Sequence, residues 1–306
     1  MKTILVTGGT VFVSRFAAEY FVKKGWRVYV LNRGTRPQSD GVTLIQADRH
    51  DIGDKLRGLY FDAVLDITAY TARDVNSLLD ALGEFDKYIF ISSSAVYPET
   101  TPQPFSESAP TGKNRIWGSY GENKAQAERA LSERWPEAYI LRPPYLYGPM
   151  NNLYREAFAF DCVLSGRRFC LPQDGKMNLQ LLHVADLCRF MEMILEKSPD
   201  RRIFNVGNSE TVTVRDWAVL CYKAAGKEPR FFNVRARLAQ RNYFCFYDYD
   251  YRLDVSAQNA LLPAVVPLEQ GLRESLEWYL NNRSGVSKKP YLQFIDDNFT
   301  PQEKIK

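Results

Sequence analysis

The chain has 306 residues, with 40 Lys and Arg against 36 Asp and Glu for a net charge of +4, and its 45% hydrophobic and 25% charged residues suit a globular protein of one core or two closely joined lobes. A mean hydropathy of −0.35 and short apolar runs exclude a helical membrane protein, and no block of like charges points to nucleic acid. Two histidines, and five cysteines (Cys162, Cys170, Cys188, Cys221, Cys245) without CxxC spacing, give neither a metal site nor a disulfide framework; no metal is expected.

Residues 1–6 are too weakly apolar for a signal-peptide core, so a cytoplasmic protein is expected. A β-branched run at 3–7 is followed by helical spacing over 12–24, which Gly25 terminates. Further strand-like runs fall at 27–31, 43–45, 63–67 and 88–92, with helical spacing over 71–82. A Pro-, Ser-, Thr- and Gly-rich loop at 98–116 then leads to a helix over 119–134 and a strand over 138–141. This alternation predicts an α/β fold, a Rossmann-type doubly wound parallel sheet. Regularity weakens after 143–149. Residues 1–150 are therefore expected to form a dinucleotide-binding domain and 151–306 mainly a smaller C-terminal substrate lobe, some segments of which return to the first domain. The aromatic-rich stretch 243–251 reads as packing in that lobe.

Gly8-Gly9 follow the first strand and open the first helix, where backbone N–H groups and the positive end of a helix dipole meet a dinucleotide pyrophosphate. Tyr120 and Lys124 stand four apart on a helix, so both side chains share one face. A phenol with a pKa of about 10 needs a nearby cation to act as a base near neutrality, and Lys124 is expected to supply it. The spacing alone is weak, since Tyr20 and Lys24 repeat it on the first helix. What distinguishes Tyr120 is the serine cluster Ser92-Ser93-Ser94 at the end of the fifth strand, upstream across the long loop.

The segment 7–15, TGGTVFVSR, resembles the TGGTGFIG opening of the extended short-chain dehydrogenase/reductase family, the NAD-dependent epimerase/dehydratases. ISSSAVY at 91–97, the Tyr120/Lys124 pair, LRPPYLYGP at 141–149, HVADL at 183–187 and FNVG at 204–207 follow in that family's order, so the resemblance covers roughly residues 1–210. It implies a cofactor site around Gly8, Gly9, Thr10, Val11 and Phe12, with Asp48 near the adenine. It also implies Ser93, Tyr120 and Lys124 as the catalytic set, Lys124 holding the nicotinamide ribose as well, and a homodimer through the helices that include that of Tyr120. His183 and Asp186 are expected to serve a helix start.

Several positions depart from the family pattern. Val11 and Ser14 replace its second and third glycines, placing a branched side chain near the pyrophosphate and a hydroxyl between helix and sheet. Asn32-Arg33, with Arg36 close behind, stand where an acidic residue would select NAD, so the NAD(P) site leans to NADP. Ser94-Ala95 replace the Asp-Glu pair of the sugar-nucleotide 4,6-dehydratases, which argues against that reaction, and Tyr145 replaces an epimerase Asn that faces substrate phosphate. The reading is an NAD(P)-dependent oxidoreductase or epimerase acting on a hydroxyl or keto group of a small molecule, a sugar or sugar nucleotide among the candidates. The alternative is a nucleic-acid-binding or regulatory protein that keeps the fold, because the opening also resembles the chloroplast stem-loop RNA-binding branch; the mild charge argues against nucleic acid.

Overall fold

The computed structural model describes residues 1–235 and 238–299. The apolar runs form β1 (Thr3–Thr7), β2 (Arg27–Asn32), β3 (Val42–Gln46), β4 (Tyr60–Asp66), β5 (Glu84–Ile91) and β6 (Tyr139–Arg142). After them come β7 (Tyr145–Tyr147), β8 (Phe169–Pro172), β9 (Asn178–Leu179), β10 (Leu181–His183), β11 (Ile203–Asn205), β12 (Val212–Thr213) and β13 (Phe231–Val234). Seven of them make one parallel sheet in the order β11-β6-β5-β4-β1-β2-β3. The chain leaves β1 toward β2 and β3 on one side, then returns to β4, β5 and β6 on the other. The order therefore reverses between β1 and β4, and the crevice beyond the carboxyl ends of the strands opens there.

Both faces of the sheet are covered, which is why its central strands are nearly all apolar. The helices are α1 (Phe12–Lys23), α2 (Ala72–Ala81), α3 (Ser119–Arg134), α4 (Glu156–Leu164), α5 (Val184–Lys197), α6 (Val214–Ala224), α7 (Ser256–Leu261), α8 (Leu268–Asn281) and α9 (Tyr291–Asn298). α1 and α5 bury Ala17, Phe21, Leu187 and Met191 on one face; α2 and α3 bury Val75, Leu78, Ala127 and Leu131 on the other. α5 and β11 thus belong to the central sheet although they lie late in the chain. A third core, rich in aromatic rings such as Phe158, Phe169, Trp217 and Phe244, holds α4, α6, α8 and the short strands together. Among the described residues no helix is long and apolar enough to cross a membrane.

β4 and β5 begin at Tyr60 and Glu84, earlier than their apolar runs suggest. The extra residues, Glu84 and Asp86 among them, alternate exposed and half-buried positions, and the charged ones mask the strand in the sequence. Their pairing is regular nonetheless, with Tyr60 opposite Glu84.

A buried polar network joins the sheet, α3 and the loop before α3. Arg142 of β6 forms a double hydrogen bond with Glu128 of α3, Nε to Oε1 at 2.9 Å and Nη2 to Oε2 at 2.6 Å. Glu128 also accepts from Ser92 Oγ at 2.5 Å. Nη1 of Arg142 donates to the Tyr97 hydroxyl and the Glu107 carbonyl oxygen, and Tyr97 donates to Asn205 of β11. Each charge in this pair depends on the other for its solvation. Glu128→Ala leaves the guanidinium buried without its carboxylate and is expected to lower the unfolding free energy by about 3–5 kcal/mol. Replacing both partners, Glu128→Leu with Arg142→Met, is expected to cost less than that single change; urea unfolding of the two variants, compared with wild type, checks it.

Candidate active site

The turn after β1 takes its shape from two glycines. Gly8 and Gly9 have φ of +94° and +92°, conformations that side chains resist, and both lie against neighbours. A Cβ on Gly9 would sit 2.5 Å from Val30 Cγ1, and one on Gly8 would sit 2.7 Å from Ser14 Oγ. Ser14 is therefore accommodated at the third glycine position because Gly8 has no side chain, and its hydroxyl donates to the Val11 carbonyl oxygen at 2.9 Å. Thr10 lies in the bend before Val11. Val11 is extended at the N-cap of α1, while Phe12 takes φ of +38°, an uncommon state for a bulky residue. No acidic residue occupies the first turn of α1, so its positive end is left uncompensated. Turn and helix start together offer the backbone cradle a pyrophosphate needs.

At the end of β2, Asn32 faces this turn and donates to the Gly8 carbonyl oxygen at 2.6 Å. Arg33 and Asp48 meet with Lys55 around a shallow depression of about 340 Å³. Arg36 is exposed in the following bend and lines neither this depression nor the main cavity.

The main cavity, about 410 Å³, runs from Phe12 and Val13 at the start of α1 to Ser92, Ser93 and Ser94 after β5 and to Tyr120 and Lys124 of α3. Its outer walls are Tyr70, Trp117, Tyr145, Tyr247, Tyr251 and Arg155. The structure thus brings Ser93, Tyr120 and Lys124 together beside the glycine turn, while Tyr20 and Lys24 sit elsewhere and share Glu192. Gly121, one residue after Tyr120, lets α3 approach closely: a Cβ there would lie 2.2 Å from the Ala95 carbonyl oxygen.

Ser93 and the Tyr120 phenol line the same cavity. The ring remains 39% exposed to the cavity. Desolvation holds the phenol above its ordinary pKa, against the opposing effects of the nearby Ser93 hydroxyl and the Arg155 charge. The expectation that Lys124 depresses this pKa is not met in this conformation. The ammonium of Lys124 is buried and donates to the carbonyl oxygens of Ala69 at 2.6 Å and Ile91 at 2.7 Å. It lies over the Tyr70 and Phe90 rings, and burial pulls its own pKa down to about 8, against the opposing charges of Asp66 and Glu128. One of its three N–H donors remains free of these carbonyls.

Reading the sequence missed the buried carboxylate of Asp66, which accepts from Thr7, Tyr88 and Arg49 beneath the glycine turn, and it missed Arg155. The stretch 243–251 divides: Phe244 and Phe246 pack in the lobe core, whereas Tyr247 and Tyr251 face the cavity. His183 caps α5 and Asp186 accepts from Val266 N at its first turn, both structural placements.

Residues 58–207 match the NAD dependent epimerase/dehydratase family. The chain is 30% identical, over 99% of its length and 85% of the relative's, to chloroplast stem-loop binding protein of 41 kDa b of Arabidopsis thaliana. It is 25% identical over 64% of its length to dTDP-D-glucose 4,6-dehydratase of Mus musculus, of which it spans just over half, 56%. Among solved structures it resembles UDP-glucose 4-epimerase with UDP-glucose from Thermotoga maritima, with a TM-score of 0.75 at 21% identity over 92% of this chain and 99% of that one. It also resembles dTDP-glucose 4,6-dehydratase in complex with NAD from Bacillus anthracis, with a TM-score of 0.72 at 18% identity over 94% and 99%. With the parallel sheet, the glycine turn at its switch point and a relative matched along almost the whole chain, this protein belongs to the NAD-dependent epimerase/dehydratase family.

Proposed function

We propose that the protein is an NAD(P)-dependent oxidoreductase or epimerase acting on a hydroxyl or keto group of a sugar-like substrate. The observation that carries this reading is the single cavity shared by the start of α1 and by Ser93, Tyr120 and Lys124. Gly8, Gly9 and the first N–H groups of α1 would hold the pyrophosphate, Asn32, Arg33 and Asp48 the adenosine end, and the free donor of Lys124 a ribose hydroxyl. A nicotinamide bound there supplies hydride exchange with a substrate carbon. Tyr120 Oη takes the proton of the substrate hydroxyl, or returns it to the carbonyl oxygen in the reverse direction. Ser93 Oγ, which lines the same cavity as Tyr120, donates to the same substrate oxygen as its charge changes. A 4,6-dehydration is not part of this reading, because among the described residues no acidic side chain lines the cavity to remove the second proton; the dehydratases among the relatives make that a point for experiment. Arg33 beside Lys55 favours NADP through phosphate pairing.

Calorimetric titration with NAD, NADH, NADP and NADPH is expected to give saturable binding, and Arg33→Asp is expected to weaken the phosphorylated pair more than NAD and NADH. Equal weakening removes Arg33 from the 2′-phosphate site, and no binding by any of the four removes the cofactor reading.

In turnover followed by nicotinamide absorbance, Tyr120→Phe is expected to abolish activity and Ser93→Ala to lower it about 10²- to 10³-fold, while Tyr20→Phe leaves it unchanged. Lys124→Met is expected to weaken cofactor binding, because it removes the donor offered to the ribose. Its effect on stability has its own sign. A lysine depressed to about 8 in the fold, against about 10.4 unfolded, burdens the folded state below pH 8, and that burden fades as pH rises through both values. Any gain in melting temperature from Lys124→Met is therefore expected to shrink as pH rises from 7 to 10.

The Arabidopsis relative's name supports a second reading, binding of stem-loop RNA. With a charge of +4 and no like-charge block, gel-shift assays across a salt series are expected to give no submicromolar complex; a tight complex with a steep salt slope favours the second reading.

A further inference from the structure

We propose that Arg155 is the substrate anchor, binding a carboxylate or phosphate on a monosaccharide-sized substrate, so that the enzyme acts on a small sugar acid or sugar phosphate. This inference rests on the oxidoreductase reading of the same cavity.

The electrostatics of the cavity are one-sided. Among the described residues its charged lining side chains are Lys124 and Arg155, and none is acidic. Lys124 is committed to two backbone carbonyls deep in the site, whereas Arg155 stands on the outer wall. Its guanidinium stacks on the Tyr145 ring, 4.8 Å from the centroid, and donates once, to the Leu146 carbonyl oxygen at 3.3 Å. Among the described residues it pairs with no carboxylate. The adjacent Glu156 does not serve, because its carboxylate is buried and accepts from Asn151 and the Gly148 N–H instead. A guanidinium carries five N–H donors in a rigid fork that fits carboxylate and phosphate oxygens two at a time. Stacking on Tyr145 fixes the plane of that fork toward one side. A second guanidinium, Arg241, stacks on Tyr247 of the same lining at 4.8 Å and adds to the positive field.

Size sets the rest. About 410 Å³ lies near the lower end of the roughly 300–1,000 Å³ typical of pockets that take drug-sized ligands, and the same space must admit the nicotinamide beside Phe12 and Ser93. What remains suits one sugar ring and its anionic group. Trp117, Tyr145 and Tyr247 pack edge to face at centroid distances of 4.9 to 5.8 Å and narrow the cavity's outer part.

The test uses Trp117 as its reporter, with Trp117→Phe identifying its share of the fluorescence. The NAD-loaded protein is titrated with glucose 6-phosphate, glucuronate, inorganic phosphate, UDP-glucose and uncharged glucose. At least one monosaccharide anion is expected to bind tenfold or more tightly than glucose and no more weakly than UDP-glucose. Arg155→Gln is expected to erase that preference and Arg155→Lys to retain part of it. Arg155→Lys, which keeps the charge, also serves as the second variant if Arg155→Gln does not fold. The proposal is overturned if no anion saturates, if UDP-glucose binds tenfold more tightly than every monosaccharide, or if Arg155→Gln keeps the preference. A parallel nucleotide titration separates the two readings: anion selectivity without cofactor binding sinks the oxidoreductase assignment alone, and cofactor binding without anion selectivity sinks this one alone.

Discussion

The ion pair between Glu128 and Arg142 is the constraint on which the site depends. Glu128 lies one turn beyond Lys124, as Lys124 lies one turn beyond Tyr120, so the helix face that presents the reacting groups to the cavity carries their anchor at its inner end. Through Arg142 this face is locked to β6, through Ser92 to the end of β5, and through Tyr97 and Asn205 to β11 and the loop before α3. Buried charges are expensive unless fully paired. Here every neighbour of the pair is a segment that contributes to the cavity or supports it, so a shift of α3 along the sheet would break several charge-assisted bonds at once.

A second tension surrounds Lys124. Its burial depresses its pKa, while Asp66, held by Thr7, Tyr88 and Arg49, opposes that shift. Asp66 stands at the end of β4 and Thr7 at the end of β1, the two strands between which the sheet order reverses. The crevice created by topology therefore holds one of the chain's groups of buried charge, and a protonated lysine there comes at a cost in stability that a merely structural residue would not impose.

The outer cavity follows different physics. Aromatic side chains close it and Arg155 charges it, with packing of Trp117 against Tyr145 and Tyr247 setting the width. The inner half thus carries the buried hydrogen-bonding groups, and the outer half the aromatic walls and a guanidinium, which is the division of labour we propose for proton transfer and substrate selection.

By itself the sequence determined the sheet and the inner site. Strands buried on both faces must be continuously apolar, and a strand, a glycine turn and a helix are contiguous in the chain, so β1, Gly8-Gly9 and α1 are legible locally. The Tyr120/Lys124 pair is legible for the same reason, since one helix turn places both on one face. The polar starts of β4 and β5 escaped because charged residues at a sheet's exposed end break the pattern without breaking the pairing. Only the tertiary structure decided that Tyr120 belongs to the cavity and Tyr20 does not, that Tyr247 lines the cavity while Phe246 packs in the core, and that Arg155 has no carboxylate partner among the described residues. Each of these depends on residues tens to a hundred or more positions apart being brought into contact, and no local periodicity records which of many distant side chains will meet.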